Sequence, residues 1–133
     1  MDDLTAAAIT EIQELHVEFE QWFGGESDSL DRVESVLLNT FTMVTPNGET
    51  VARNDLIEGL KEAHGAVELT IEIKNTTVRW EGADGMLVSY EEWQTTPDNS
   101  NARQSTVLFE HDWGAPNGLK WAHVHETWMP EGS

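Results

Sequence analysis

The segment Lys120-Trp121-Ala122-His123-Val124-His125-Glu126-Thr127-Trp128 decides how this chain is read. Alternation along a strand puts Trp121, His123, His125 and Thr127 on one face, and Ala122, Val124, Glu126 and Trp128 on the other. Neither set is the polar face that a half-solvated antiparallel sheet shows to water. The sheet is therefore expected to be covered on both sides, by the chain's own helices and by a second copy of the chain.

Working backwards, residues 67–80, 86–96 and 103–113 read as three more strands, with the last over 119–129. Glu81-Gly82-Ala83-Asp84-Gly85, Pro97-Asp98-Asn99-Ser100-Asn101 and Gly114-Ala115-Pro116-Asn117-Gly118 are turn-formers, so the four strands should make an antiparallel meander. The first half of the chain is different. Leu4, Ala8, Ile12, Leu15, Phe19 and Trp22/Phe23 recur at helical spacing, and Gly24-Gly25 is a suitable stop. The aromatics at the end of this stripe suit core packing first, and the mouth of a cavity second. A short helix is expected to carry Leu30, Val33, Val36 and Leu37 after the capping side chains of residues 26–29. Phe41 and Met43 then begin a small hairpin turning at Pro46-Asn47-Gly48 and returning over residues 49–52. A third helix, with Asn54 as a candidate cap, carries Leu56, Ile57 and Leu60 and ends at Gly65. Helices first and long strands after predict an α+β fold, three helices on the concave face of a strongly curved, mainly antiparallel sheet.

Composition narrows the partners. The 133 residues suit one domain spanning 1–133, and 38% hydrophobic content is ordinary for a packed core. With 25 Asp and Glu against 7 Lys and Arg, the formal net charge is −18, which repels nucleic acid and anionic membranes. The acids run from Asp2 to Glu131 without a block, which favours adaptation to a salt-rich, halophilic interior over a docking surface for a basic protein. The start Met1-Asp2-Asp3 lacks a signal peptide's basic residues, no apolar run is long enough to cross a membrane, and there is no cysteine. A cytoplasmic location is expected.

Turns set register, so facing residues can be sketched. With turns centred near Asn99 and Pro116, three rows cross one face: Tyr90–Leu108–Val124, Glu92–Thr106–Glu126 and Gln94–Gln104–Trp128. The other face would carry Trp93, Phe109, Trp121, His123 and His125, with Val107 and Arg103 beside them. The first face mixes aromatics with carboxylates and amides, which a partly polar cavity under the helices would explain. Trp22, Tyr90, Glu92, Gln94, Thr106, Leu108, Val124, Glu126 and Trp128 are its expected lining. The second face is apolar with a polar rim, which marks an association surface, and a symmetric dimer is the simplest occupant.

This order of elements, with its Trp121-Ala122-His123-Val124-His125 strand and Asp55-Leu56-Ile57-Glu58-Gly59-Leu60 helix, resembles the nuclear transport factor 2-like superfamily, including its SnoaL-like families. The last strand is similar to that of the association (hub) domain of calcium/calmodulin-dependent protein kinase II. The resemblance covers nearly the whole chain and implies a fold rather than an activity, because the superfamily hosts isomerases, cyclases, hydrolases and binding domains. The hub places arginines at the positions matching Glu92, Thr106 and Trp128, so the resemblance implies a cavity here without that anion partner. Ketosteroid isomerases of this fold hold a base where this chain has Thr45, and their helix tyrosine has no counterpart.

Glu92 and Glu126, expected about 9–10 Å apart in one row, are the candidates for general acid or base, with Tyr90 as a hydrogen-bond donor. The plainer alternative is a pair of carboxylates bonded to neighbouring Tyr90, Gln94 or Gln104. His123-x-His125 with His111 has a spacing that zinc could use, but the neighbouring tryptophans favour histidines packed at a dimer face. His16 and His64 read as satisfied core or boundary residues. No metal, cofactor, nucleic acid or membrane is expected. Three functions follow in order: a homodimer binding a small, partly apolar molecule; an isomerase, cyclase or hydrolase using Glu92 or Glu126; an oligomerisation module.

Overall fold

The computed structural model describes residues 3–130; Met1, Asp2 and the acidic Glu131 of the sequence reading lie outside them. Helix α1 (Asp3–Phe23) is followed by α2 (Asp31–Val36), β1 (Leu37–Val44), β2 (Thr50–Ala52), α3 (Arg53–Glu62), β3 (Thr70–Glu81), β4 (Gly85–Thr95), β5 (Ser100–His111) and β6 (Leu119–Trp128). The strands form one sheet in the order β2-β1-β6-β5-β4-β3, antiparallel except where β1 lies parallel to β6. The three helices pack on its concave side, giving the expected α+β architecture. Among the described residues no helix is long and apolar enough to cross a membrane.

Helix α1 buries Ala8, Ile12, Leu15 and Trp22, and its end is built for close passage of another segment. Gly25 takes φ +79°, and its backbone approaches that of Gly65, where φ is +68°. There the chain after α3 donates the amides of Gly65 and Val67 to the carbonyls of Trp22 and Phe23. Trp22 strengthens the junction by donating its indole N–H to the Leu60 carbonyl at 2.6 Å. It therefore fastens α1 to α3 and lies outside the cavity wall, where Phe19 and Phe23 stand instead. Helices α2 and α3 follow Leu30 and Ala52 without a side-chain cap, so Asn54 falls inside the first turn of α3.

Two turns change the expected register. Pro97-Asp98 occupy the centre of a tight turn in which the Thr96 amide bonds the Asn99 carbonyl, and β5 begins at once at Ser100. Proline's fixed φ suits that position. Glu92 consequently faces Arg103, and Tyr90 faces Ser105. The shift is three residues, an odd number, so β5 turns over. Thr106 and Leu108 point to the convex side, not into the cavity, and Arg103 and Ser105 replace them. Between β5 and β6, Leu108 pairs with His123 but Phe109 pairs with Trp121, so Ala122 is the extra residue of a bulge. The bulge swings Trp121 to the same side as Val124. Phe109, at 0% exposure, and Trp121, at 2%, are core residues rather than parts of a dimer face.

Glu11 of α1, an acidic residue, is fully buried. It receives Arg32 Nη2 at 2.7 Å, Asn117 Nδ2 at 2.9 Å and Trp121 Nε1 at 2.8 Å. One carboxylate so joins α1, α2, the β5–β6 loop and β6. Removing it would leave a buried indole N–H unpaired and Arg32 with only its 3.4 Å contact to Glu14, which costs about 3–5 kcal/mol. Chemical denaturation should show a drop of that order for Glu11→Ala, while Glu14→Ala, whose side chain is exposed, should lose no more than about 1 kcal/mol. Equal small losses would show that Glu11 is not the joint described.

Candidate functional site: a charged cavity under the helices

A cavity of about 160 Å³ lies between the helices and the concave face of the sheet. Leu15, Phe19 and Phe23 of α1, Leu56 and Leu60 of α3, and Phe41 and Met43 of β1 supply most of the apolar side chains of its wall. Set into this apolar lining are two ion pairs, His16 with Glu92 and Arg103 with Glu126. Tyr90, Glu92, Gln94, Val124 and Glu126 line it from the sheet, where the sequence placed them. Trp128 is half-exposed at the edge, with its ring under the Arg103 guanidinium at 4.8 Å and its N–H bonded to Asn47. Glu92 and Glu126 occupy neighbouring rows, Glu92 opposite Arg103 and Ser105 opposite Glu126, rather than one row.

His16 extends the apolar stripe of α1, four residues after Ile12. Its Nδ1 lies 2.7 Å from the Ile12 carbonyl and its Nε2 lies 3.1 Å from Glu92 Oε1. With Glu92 ionised, both partners are acceptors, so both ring nitrogens donate and the ring is an imidazolium. Electrostatics point the same way. Burial lowers the His16 pKa, but the charge and hydrogen bond of Glu92 outweigh it and leave the pKa above the ordinary 6.5. Burial would raise Glu92, yet His16, the Gln94 amide at 2.6 Å and Arg103 bring its pKa down to about 2. A carboxylate held so low is a poor base near neutrality. Tyr90 is pushed well above its ordinary 10 by burial and by both glutamates, so it remains a phenol.

The second pair is looser. Arg103 Nη1 reaches Glu126 Oε1 at 3.4 Å, and Ser105 donates to Oε2 at 3.2 Å. Arg103 Nη2 bonds Asn101 at 3.0 Å. Burial and the Glu92 charge raise the Glu126 pKa more than Arg103 and Ser105 lower it. Arg103 Nε is buried with no hydrogen-bond partner among the described residues.

His16 and Arg103 are the site residues that sequence reasoning missed. His16 had a signal, since an ionisable group on a buried stripe needs a partner. Arg103 had one only through the Pro97 turn. The histidines of β5 and β6 are dispersed by comparison. His123 bonds Thr42 at 2.8 Å with its ring 6.5 Å from that of His125, while His111 bonds the Gly82 carbonyl and stacks on Trp113. Among the described residues, no three His, Asp or Glu side chains are gathered as a metal would require.

Residues 8–130 match the family described as sucrose-6-phosphate phosphohydrolase C-terminal. The chain belongs to that family. Its curated relatives include sucrose-phosphatase 1 of Nicotiana tabacum, 28% identical over 127 residues, and sucrose-phosphatase 2 of the same plant, 25% identical over 127 residues. Each match takes 90% of this chain but 30% of the relative, so the chain spans under a third of their length. Among solved structures it resembles a nuclear transport factor 2-like protein of unknown function from Pseudomonas aeruginosa, with 31% identity, a TM-score of 0.87, and coverage of 93% of this chain and 99% of the other. This places the family within the nuclear transport factor 2-like superfamily. The calcium/calmodulin-dependent protein kinase II hub of S. rosetta shares the fold at a TM-score of 0.75 and 13% identity, covering 93% of this chain and 95% of the hub. Where the hub domain is expected to place arginines this chain has Glu92, Thr106 and Trp128, and its cavity takes an arginine from another position, Arg103, paired with Glu126.

The His16–Glu92 pair gives stability a defined pH window. His16, raised, contributes below 6.5 and its contribution is lost as pH rises through its folded pKa. Glu92, lowered, contributes above 4.5 and loses it as pH falls towards 2. Thermal melts of Glu92→Gln against the parent should therefore differ most between pH 4.5 and 6.5, with the gap closing at alkaline pH. A gap independent of pH would mean that the pair is not ionised.

Proposed function

We propose that this domain binds a small, largely apolar molecule in the cavity and associates with a second copy through the convex face of its sheet. The observation that carries the binding role is the placement of two ion pairs inside an apolar pocket. Buried pairs contribute little to stability compared with apolar packing. Their retention around an open space suits recognition. Proton-transfer chemistry has less support, because His16 spends both nitrogens on fixed acceptors and Glu92 is held too acidic to act as a base. Glu126 remains the group with a raised pKa.

The relatives' names raise sucrose phosphate as an occupant, but the cavity argues against it. An engineered cavity of roughly 150 Å³ holds one benzene, and this one is about 160 Å³ with a mainly aromatic and aliphatic wall. A disaccharide is too large and too polar. Native mass spectrometry of the untagged protein, followed by organic extraction, should find a small molecule at up to one per subunit, and Met43→Trp, which fills the cavity, should lose it. Retention of the same molecule by Met43→Trp would place its site elsewhere.

Self-association is favoured by the convex face itself, where Leu108 is 40% exposed beside half-buried Leu87 and His123, with Trp93 further along β4 on the same face. Light scattering in molar salt, which screens the acidic surface, should report twice the 14.9 kDa subunit mass. Leu108→Glu should shift it towards one subunit. A parent protein that is monomeric at high concentration would remove this face from consideration.

A further inference from the structure

Building on the binding role proposed above, we infer that the cavity selects an uncharged ligand with a hydroxyl group at its polar end, seated between Arg103 and Glu126. The charge ledger of the wall excludes the alternatives. Its ionisable side chains that pair are His16 with Glu92 and Arg103 with Glu126, so each cation already has its anion. An incoming carboxylate would have to displace Glu126 from Arg103, and an incoming ammonium would have to displace Arg103 from Glu126. Either displacement leaves a charge unpaired in a low-dielectric pocket.

The hydrogen-bond capacity left over is specific. The first pair is the more tightly held: both His16 nitrogens are spent, and Glu92 is bonded at 3.1 and 2.6 Å. The second is looser. Arg103 Nε is a buried donor without an acceptor. Glu126 is held by two bonds, at 3.4 and 3.2 Å, which are long for charge-assisted contacts. A carboxylate has roughly four lone-pair sites, so Glu126 can accept more. One donor and one acceptor from the same ion pair are complemented by a group that accepts and donates at once. A hydroxyl does both on one atom and brings no charge. The rest of the ligand meets Phe19, Phe41, Met43 and Leu56, which asks for an apolar body about the size of one ring.

Three probes built on a phenyl ring bearing one carbon separate these classes: benzyl alcohol, benzoate and benzylamine. Their affinities should be measured by NMR shift perturbation in molar salt, so that the formal charge of −18 does not draw the amine to the surface. Benzyl alcohol should bind more tightly than either ion by about tenfold or more, with perturbed resonances at Arg103 and Tyr90. Arg103→Lys keeps the positive charge but removes Nε, and should narrow that preference. Benzoate or benzylamine binding in the cavity as well as the alcohol would overturn the ligand class and leave the binding role standing. Failure of all three to perturb cavity residues would overturn the binding role and this inference together. The three-probe comparison on the parent protein decides the matter even if Arg103→Lys does not fold.

Discussion

A positive imidazole and a negative carboxylate meet in the interior of this protein, and the placement of α1 over the sheet depends on that contact. His16 and Glu92 are both buried, so neither can be charged alone without a large desolvation cost. Together they are charged, and the pair fixes one point of α1 against β4. Aromatic contacts hold the imidazolium in place: Phe19 and Tyr90 meet its edge at 5.6 Å and Trp121 at 6.3 Å. The cavity exists where this polar post keeps helix and sheet apart, flanked by side chains that would otherwise close on one another.

Glu11 is the counterpart on the previous turns of the same helix, and the comparison separates structure from site. Its carboxylate spends its oxygens on Arg32, Asn117 and Trp121, with no open space beside it. Such a saturated group behaves as a joint. Glu126 has long contacts, a cavity beside it and an unpartnered arginine nitrogen near by. Buried acids in one domain thus have different tasks, and their hydrogen-bond accounts distinguish them more clearly than their burial does.

Much of the architecture was legible from the residues because hydrophobic period and turn chemistry are local. The three helices, the hairpin at Asn47-Gly48 and the four-stranded meander follow from spacing alone. The inward side of Tyr90, Glu92, Gln94, Val124 and Glu126 was also readable, although for β6 partly through compensating shifts. Placing the first turn too late turned β5 over, and an offset of one in the next turn turned β6 back. What alternation could not supply was the bulge at Ala122, which moves Trp121 from the expected outer face to the core. Nor could it reveal that Glu11 is buried, or that His16, read as a satisfied core or boundary residue, takes Glu92 as its partner. A helical stripe that is read only for its apolar members overlooks the ionisable groups within it.

The account stands or falls on the protonation of one ring. Nitrogen-15 NMR of the His16 side chain through a pH titration reads it directly. Both ring nitrogens should stay protonated to a pH above the ordinary 6.5, with Nε2 bonded to Glu92. A neutral ring with one bare nitrogen already at that pH would contradict the buried ion pair, and with it the charge-balanced cavity described for this domain.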